Sequence, residues 1–202
     1  LFNRDISKWD LSSVRDMGDM FMRAKSYNDD ISKWVVSSVN DMTGMFLEAT
    51  IFTKDISKWD VSSVRDMTDM FMHATSFNGD IPKWDVFSVL SMHAMFHAAK
   101  TFDCDISKWD VSSVLSMNEM FKDAALFEQK LSGASWVRSE ATKVDMFAGS
   151  SGSISLTICT STSAFSSTTA LKRAIDACLN SSPKVLAPTL DMGRSRSGTY
   201  QV

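Results

Sequence analysis

A repeat of 25 residues organises this chain from its first residue to about residue 125. One Trp and one Met-Phe pair return at this spacing in five successive copies, and a degraded sixth copy carries Trp136 and Met146-Phe147. A fixed period of this length is typical of proteins in which each unit buries its apolar side chains against the next unit. The Trp residues are Trp9, Trp34, Trp59, Trp84 and Trp109, and the Met-Phe pairs begin at Met20, Met45, Met70, Met95 and Met120.

The third copy, residues 51–75, shows two periodicities. Trp59-Asp60-Val61 alternates apolar and polar residues, which predicts a short strand with Asp60 facing solvent. Later in the copy, apolar residues recur at i, i+3, i+4 and i+7 from Met67 to Ala74, which predicts one face of a short helix. Ser63, followed three residues later by an acidic residue, indicates a capping box at its start.

The spacing of apolar residues from Ile56 to Val64 also fits the leucine-rich repeat frame, with Ile, Trp and Val at the Leu positions. The predicted fold class is therefore an α/β repeat solenoid. It is leucine-rich-repeat-like, with one short parallel strand and one short helix per 25-residue turn. The domain prediction assigns residues 1–149 to this solenoid, as five regular copies and a degenerate sixth that caps the core.

The recurring pattern, Asp-Ile-Ser-x-Trp-Asp-Val-Ser-Ser-Val followed by Asp-Met-x-x-Met-Phe-x-x-Ala, resembles the BspA-like leucine-rich repeat surface proteins. These proteins share the repeat catalogued as DUF285. The resemblance is strong over residues 1–125 and weak over 126–149. It implies a cell-surface or extracellular protein that binds host or matrix proteins and has no enzymatic activity.

Composition narrows the classes of function. The net charge is -3, and residues 1–125 are more acidic than basic, which argues against binding to a nucleic-acid backbone. No apolar run is long enough for a transmembrane helix. Three scattered cysteines predict neither a disulfide framework nor a zinc site. The chain starts inside a repeat at Leu1, without a targeting signal, and is interpreted as a fragment of a longer protein.

The remainder of the chain has a different composition. Residues 150–168 are rich in Ser and Thr and are predicted to be a linker. Residues 169–180 carry an amphipathic pattern and are predicted to form a helix, and residues 181–202 are predicted to be disordered. Asn180-Ser181-Ser182 is an N-glycosylation acceptor motif, which weakly favours secretion.

Two groups of side chains raise the question of metal binding. His93 and His97 are spaced i, i+4, but neither Glu nor Cys accompanies them, so we interpret them as solvated helix positions. One Asp recurs before each Ile-Ser pair, and its carboxylate either accepts backbone N–H bonds in a turn or holds calcium between units. The turn is the favoured interpretation, and no cofactor and no metal site is predicted. The recurring residues are Asp5, Asp30, Asp55, Asp80 and Asp105.

The predicted partner-binding face lies on the strand side, at the outward position between Trp and Val. Val35 replaces Asp there in the second copy, and Phe87 replaces an outward Ser in the fourth. Exposed apolar residues on an acidic, hydroxylated face are plausible contact anchors, although neutral drift explains them equally well. The predicted face comprises Val35, Asp60, Asp85, Phe87 and Asp110.

The sequence therefore favours a non-enzymatic protein-binding or adhesion module. The alternative is a structural or intracellular scaffold repeat protein without a dedicated ligand. An enzyme is disfavoured, because the chain contains no nucleophile–base pair, phosphate-binding loop or metal motif.

Overall fold

The computed structural model describes residues 6–155. They lie in a compact unit, Leu1–Ile158, and a second unit, Cys159–Val202, lies outside the described residues. Three regular elements occur between residues 6 and 155: strand β1 (Lys130–Leu131), helix α1 (Ala134–Arg138) and strand β2 (Ser153–Ile154). None of the helices in this range has the length and apolar character needed to span a bilayer.

Backbone hydrogen bonds connect each unit to the next through equivalent positions. In the third unit, alternate N–H groups donate to carbonyls of the fourth, as in Phe71 to Met95 at 2.9 Å and His73 to His97 at 2.8 Å. Asp69 donates in the same way to His93 at 2.9 Å. Every junction also carries one isolated parallel β-bridge. The bridges are Asp16–Asp41, Asp41–Asp66, Asp66–Ser91, Ser91–Ser116 and Ser116–Thr142.

The predicted helix over residues 67–74 is absent, and the prediction of one helix per unit is wrong. Asp69 and His73 have positive φ angles of 56° and 57°, which an α-helix cannot accommodate. Overlapping β-turns replace the helix, because the N–H groups that a helix would use internally donate instead to the next unit. The turn bonds run from Met70 to Met67, from Met72 to Asp69 and from Ala74 to Phe71, at 3.3, 3.0 and 3.0 Å.

The predicted capping box is also wrong. Asp66 does not face Ser63 across a helix start, because its Oδ1 accepts the N–H of Thr68 at 2.8 Å. Asp41 makes the same bond to Thr43 at 2.8 Å, and Asp16 to Gly18 at 2.8 Å. The acidic residue thus closes a turn next to the β-bridge.

The predicted strand over residues 59–61 has the expected alternation of burial but not the expected pairing. Trp59 and Val61 are buried and Asp60 is exposed. The segment is not a strand, because β-turns enclose it on both sides, with Trp59 N–H bonded to Ile56 O and Val64 N–H to Val61 O. Pairing between units occurs instead five residues after Val61, at Asp66.

The core consists of stacked side chains of one kind. Phe71 lies between Phe46 and Phe96, with ring centroids 5.5 and 5.6 Å away and rings nearly parallel. The Trp rings stack in a second row, at 6.3 Å for Trp34 and Trp59. Such offset stacking adds to the free energy of burying each ring.

Each buried Trp also joins two units through its ring nitrogen. Trp59 Nε1 donates to Ile31 O at 3.2 Å, and Trp84 Nε1 donates to Ile56 O at 3.1 Å. This bond satisfies the indole N–H inside an apolar core, where an unpaired donor would be costly. The Trp position is therefore fixed by hydrogen bonding as well as by packing.

The sixth unit keeps the core although its sequence is irregular. Helix α1 carries Trp136 into the core, where it is buried and donates to Ile106 O at 3.1 Å like the regular Trp residues. Strand β2 pairs in parallel with β1, with Lys130 opposite Ser153. The segment from residue 150, predicted to be a linker, thus begins with a paired strand, and the compact unit extends beyond residue 149.

The remaining predictions for the tail concern the Ser/Thr-rich residues up to 168, the helix over 169–180, the disorder over 181–202 and the glycosylation motif. All of these residues lie outside the described part of the chain.

Candidate binding surface

The outward position between the buried Trp and Val is exposed in every described unit that contains it. Asp60, Asp85 and Asp110 occupy it in three successive units, and Val35 occupies it in the unit before them. Each Asp is held by its own chain: Asp60 Oδ1 accepts the N–H of Ser62 at 3.1 Å and its hydroxyl at 2.6 Å. The carboxylates are consequently oriented by local turns and keep their outer side open to solvent.

Val35 and Phe87 are exposed as the sequence suggests, at 57% and 55% of their surface. Phe87 follows Asp85 by two residues and donates its N–H to Asp85 Oδ1 at 3.1 Å. Its neighbours Val86 and Val89 are buried, so the core does not require an aromatic residue at position 87. All five predicted residues are exposed, with Val35 in the second unit and Phe87 in the fourth.

Sequence reasoning missed two further exposed apolar residues near Phe87. Leu90 is 40% exposed and Leu115 is 68% exposed. Leu115 N–H donates to Leu90 O at 2.8 Å, so the two residues are neighbours across a unit junction. The signal was present in the repeat itself, because the equivalent residues of the first three units are polar: Arg15, Asn40 and Arg65.

The recurring Asp before Ile-Ser forms a turn, which confirms the favoured interpretation. Asp30, Asp55 and Asp105 each accept the N–H of the Ser two residues later, at 2.9 Å. The side-chain and backbone bonds from that Ser lower the pKa of all three carboxyls. Asp80 cannot form this bond because the residue two places later is Pro82, which has no N–H.

The described residues contain no group of three or more His, Cys, Asp or Glu side chains placed to hold a metal ion. Neither the Asp residues of the turns nor the His93–His97 pair forms such a group.

His97 differs from its sequence interpretation as a solvated residue. Only 16% of its side chain is exposed, and its ring lies 5.5 Å from the ring of His73. Its Nδ1 lies 3.5 Å from Glu119 Oε2, and its Nε2 lies 3.8 Å from Asp123 Oδ2. Burial, followed by the nearby His73, lowers the pKa of His97, because the neighbouring carboxylates only partly offset the loss of solvent.

The carboxyl of Asp69 lies near the same histidines. Burial raises the pKa of Asp69, and the proximity of His93 and His97 opposes this shift.

Cys104 lies away from these histidines. Burial raises the pKa of its thiol, and its side chain is partly buried against the core. Neither the Asp69 carboxyl nor the Cys104 thiol has the lowered pKa expected of an activated nucleophile.

The chain was compared with protein families, curated proteins and solved structures. One family model matches, described as "Mycoplasma protein of unknown function, DUF285", over residues 1–77 and 52–158. No curated protein and no solved structure matches the chain. The two matched ranges together span most of the sequence, including every described residue, and the chain therefore belongs to the DUF285 family.

Proposed function

We propose that this chain is a non-enzymatic protein-binding or adhesion module built as a repeat solenoid of the leucine-rich-repeat type. One observation carries the proposal: an almost invariant core supports a polar outward pattern that two exposed apolar residues interrupt. Val35 and Phe87 are the two departures on the face of Asp60, Asp85 and Asp110. Large exposed apolar side chains on a polar rim are typical of contacts between proteins.

The solenoid part of the proposal rests on the repeated junctions. Successive units share the same N–H to C=O bonds, the same Trp to Ile bond and the same ring stacks. In such an architecture each unit contacts only its neighbours, so the outward surface can change without loss of the core. Turns take the place of the helix of a leucine-rich repeat.

The resemblance to BspA-like surface proteins favours an extracellular or matrix protein as the partner and the cell surface as the location. The experiment measures binding of the purified chain to a panel of immobilised matrix proteins, with serum albumin as control. Val35→Asp and Phe87→Ser restore residues that other units carry, so both variants should fold normally. We expect them to weaken binding at least about tenfold, the effect of removing a central contact.

Unchanged binding by both variants, with normal unfolding, would contradict the proposed face. Absence of binding to every matrix protein would contradict the adhesion role itself.

The second candidate is a structural or intracellular scaffold without a dedicated ligand. The near identity of the units favours it, because repeats can multiply without selection for a ligand. Antibody labelling of intact and permeabilised cells that express the protein separates the two. Labelling only after permeabilisation supports the scaffold, and labelling of intact cells supports the surface module.

A further inference from the structure

A continuous row of backbone-bonded residues crosses the first four unit junctions on the outside of the array. We call this set the spine row; its members lie immediately before the β-bridge of each unit. Each member donates its N–H to the carbonyl of the member before it, at 2.7 Å for the first pair and 2.8 Å for the other three. The spine row consists of Arg15, Asn40, Arg65, Leu90 and Leu115.

The chemistry of the spine row changes halfway along its length. Its first three members are polar and its last two are Leu, exposed by 40% and 68%. Phe87, 55% exposed, lies in the β-turn that leads into Leu90, with Val89 N–H bonded to Val86 O at 3.0 Å. Three exposed apolar side chains are thus concentrated in units four and five, although the other units carry Ser in place of Phe87.

Packing does not account for this concentration. The residues on either side of Leu115 along the chain are Val114, which is buried, and Ser116, which forms the β-bridge. Arg and Asn serve equally well at the Leu positions in units one to three, where the same bridges form. The two Leu side chains are therefore free to serve an outward contact.

The polar half of the row carries positive charge that the described chain leaves unpaired. Arg15 and Arg65 are exposed, and neither forms an ion pair within residues 6–155, although acidic residues outnumber basic ones in units one to five. Arg23, in contrast, lies 3.2 Å from Glu48. Arg65 adjoins Leu90 in the row, and Leu115 follows in the next unit. An exposed guanidinium at the end of this apolar pair offers a carboxylate contact next to an apolar one.

We propose that the spine row binds an extended protein segment in which an acidic residue lies next to two apolar residues. The apolar residues cover Leu90, Leu115 and Phe87, and the acidic residue pairs with Arg65. This inference rests on the proposed protein-binding function and deepens it by giving the partner's chemistry. It uses a surface different from the Val35 end of the predicted face.

The charge of the row argues for this occupant. A basic apolar segment would meet Arg65 with like charge and would lose affinity. The attraction between Arg65 and a carboxylate should weaken as salt rises, whereas the apolar contact should persist.

The experiment uses the whole chain and two short fluorescent peptides. The first peptide carries two Asp next to Leu, Val and Leu, and the second has Lys in place of each Asp. We expect fluorescence anisotropy to detect binding of the acidic peptide and much weaker binding of the basic one. The double variant Leu90→Asn, Leu115→Asn removes the apolar contact without adding charge and should weaken binding of the acidic peptide at least about tenfold.

Matched variants control for the folding of the chain and for the location of the peptide-binding site. Unit two carries Asn40 at the substituted position, so the double variant should retain the unfolding midpoint of the parent chain. Leu126→Ser removes an equally exposed apolar side chain outside the spine row, at a position where units two and four carry Ser26 and Ser76, and should leave peptide binding unchanged. Arg65→Ser should weaken binding at low salt and have little effect at high salt.

Three results would overturn the inference. Equal binding of both peptides, or binding of neither, would exclude an acidic apolar segment. An undiminished affinity in the double variant would exclude the spine row. Concentration-dependent self-association, seen by sedimentation and lost in the double variant, would identify a second copy of the chain as the occupant instead.

Binding to the matrix-protein panel distinguishes failure of the spine-row inference from failure of the proposed protein-binding function. If the panel binds and responds to Val35→Asp while the peptides fail, only the inference about the spine row falls. If neither the panel nor the peptides bind, both fall.

Discussion

Tyr27 departs from the stack of Phe residues to which its ring belongs. It occupies the position that is Phe52, Phe77 and Phe102 in the next three units, and its ring stacks on Phe21 at 4.1 Å. Its hydroxyl is buried and has no hydrogen-bond partner among residues 6–155. Burial, and secondarily the nearby acidic side chains, raise its pKa far above the ordinary value for a tyrosine.

We therefore expect Tyr27→Phe to stabilise the protein by about 1–2 kcal/mol, because it removes a buried polar group that forms no bond. The reverse change, Phe77→Tyr, places a hydroxyl in a fully buried site and should destabilise by about 1–3 kcal/mol. Urea denaturation of both variants measures the two effects. A loss of stability in Tyr27→Phe would show that the hydroxyl has a favourable partner after all.

The turn carboxylates make stability depend on acid. The bonds from Ser lower the folded-state pKa of Asp30, Asp55 and Asp105 below the value in an unfolded chain. Between those two values the unfolded chain binds more protons, so stability falls as pH falls. Their contribution is complete above the unfolded pKa of about 3.9 and is lost as pH falls through the folded pKa.

Replacing all three with Asn tests this dependence. An Asn side-chain oxygen can still accept the N–H of the Ser two residues later, but it does not titrate. The variant's unfolding temperature should therefore drop less than that of the parent between neutral pH and about pH 3, a range that covers the titration of Asp. An equal drop in both proteins would assign the acid sensitivity to other carboxylates.

At the scale of the element, β-turns with left-handed residues replace the helix that the sequence suggests. The two left-handed positions of the second unit are Gly44, with φ of 59°, and Glu48, with φ of 56°. Non-Gly residues in this conformation cost about 1–2 kcal/mol each, and bonds to the next unit hold them there. The strain is tolerated because those bonds satisfy N–H groups that a helix would satisfy internally.

Gly44→Ala should therefore destabilise the protein by about 1–2 kcal/mol. The added methyl also meets the carboxylate of Asp19. Gly18→Ala is the matched control, because Gly18 occupies a turn with an ordinary φ. This variant should lose clearly less free energy of unfolding than Gly44→Ala. Chemical denaturation compares the two, and equal losses would argue against strain at Gly44.

The sequence predicted which residues are buried better than it predicted their backbone. Met67, Met70, Phe71 and Ala74 are all buried, as the helical spacing required. A succession of tight turns places apolar residues on one side at a similar spacing, so periodicity alone could not separate it from a helix. Asp and Gly at the left-handed positions were the available signal, since both residues are enriched in that conformation.

The candidate surface was predictable to a smaller degree. Val35 and Phe87 interrupt a regular polar pattern, and their exposure follows from that pattern. Leu90 and Leu115 were overlooked because a Leu is expected in a core, and only its place in a polar row reveals its exposure. The low exposure of His97 could not be foreseen, because it depends on Glu119 and Asp123 from the following unit.

At the scale of the whole array, the buried residues repeat regularly from unit to unit, whereas the exposed residues vary. The Phe, Trp and Met rows continue from unit to unit, whereas charge and apolar exposure change along the outside. Because each unit bonds mainly to its neighbours, surface substitutions should act independently of one another and of the core. The proposed protein-binding role depends on this variation of the surface over a regular core.

Backbone hydrogen bonds join residues of successive units rather than residues within a helix, and this pairing defines the fold. Nuclear magnetic resonance of the deuterated, isotope-labelled chain detects scalar couplings across individual hydrogen bonds. We expect couplings from the amide nitrogen of Phe71 to the carbonyl carbon of Met95, and from His73 to His97. Couplings from these amides to carbonyls four residues earlier, as in an α-helix, would show that residues 67–74 form a helix instead of turns.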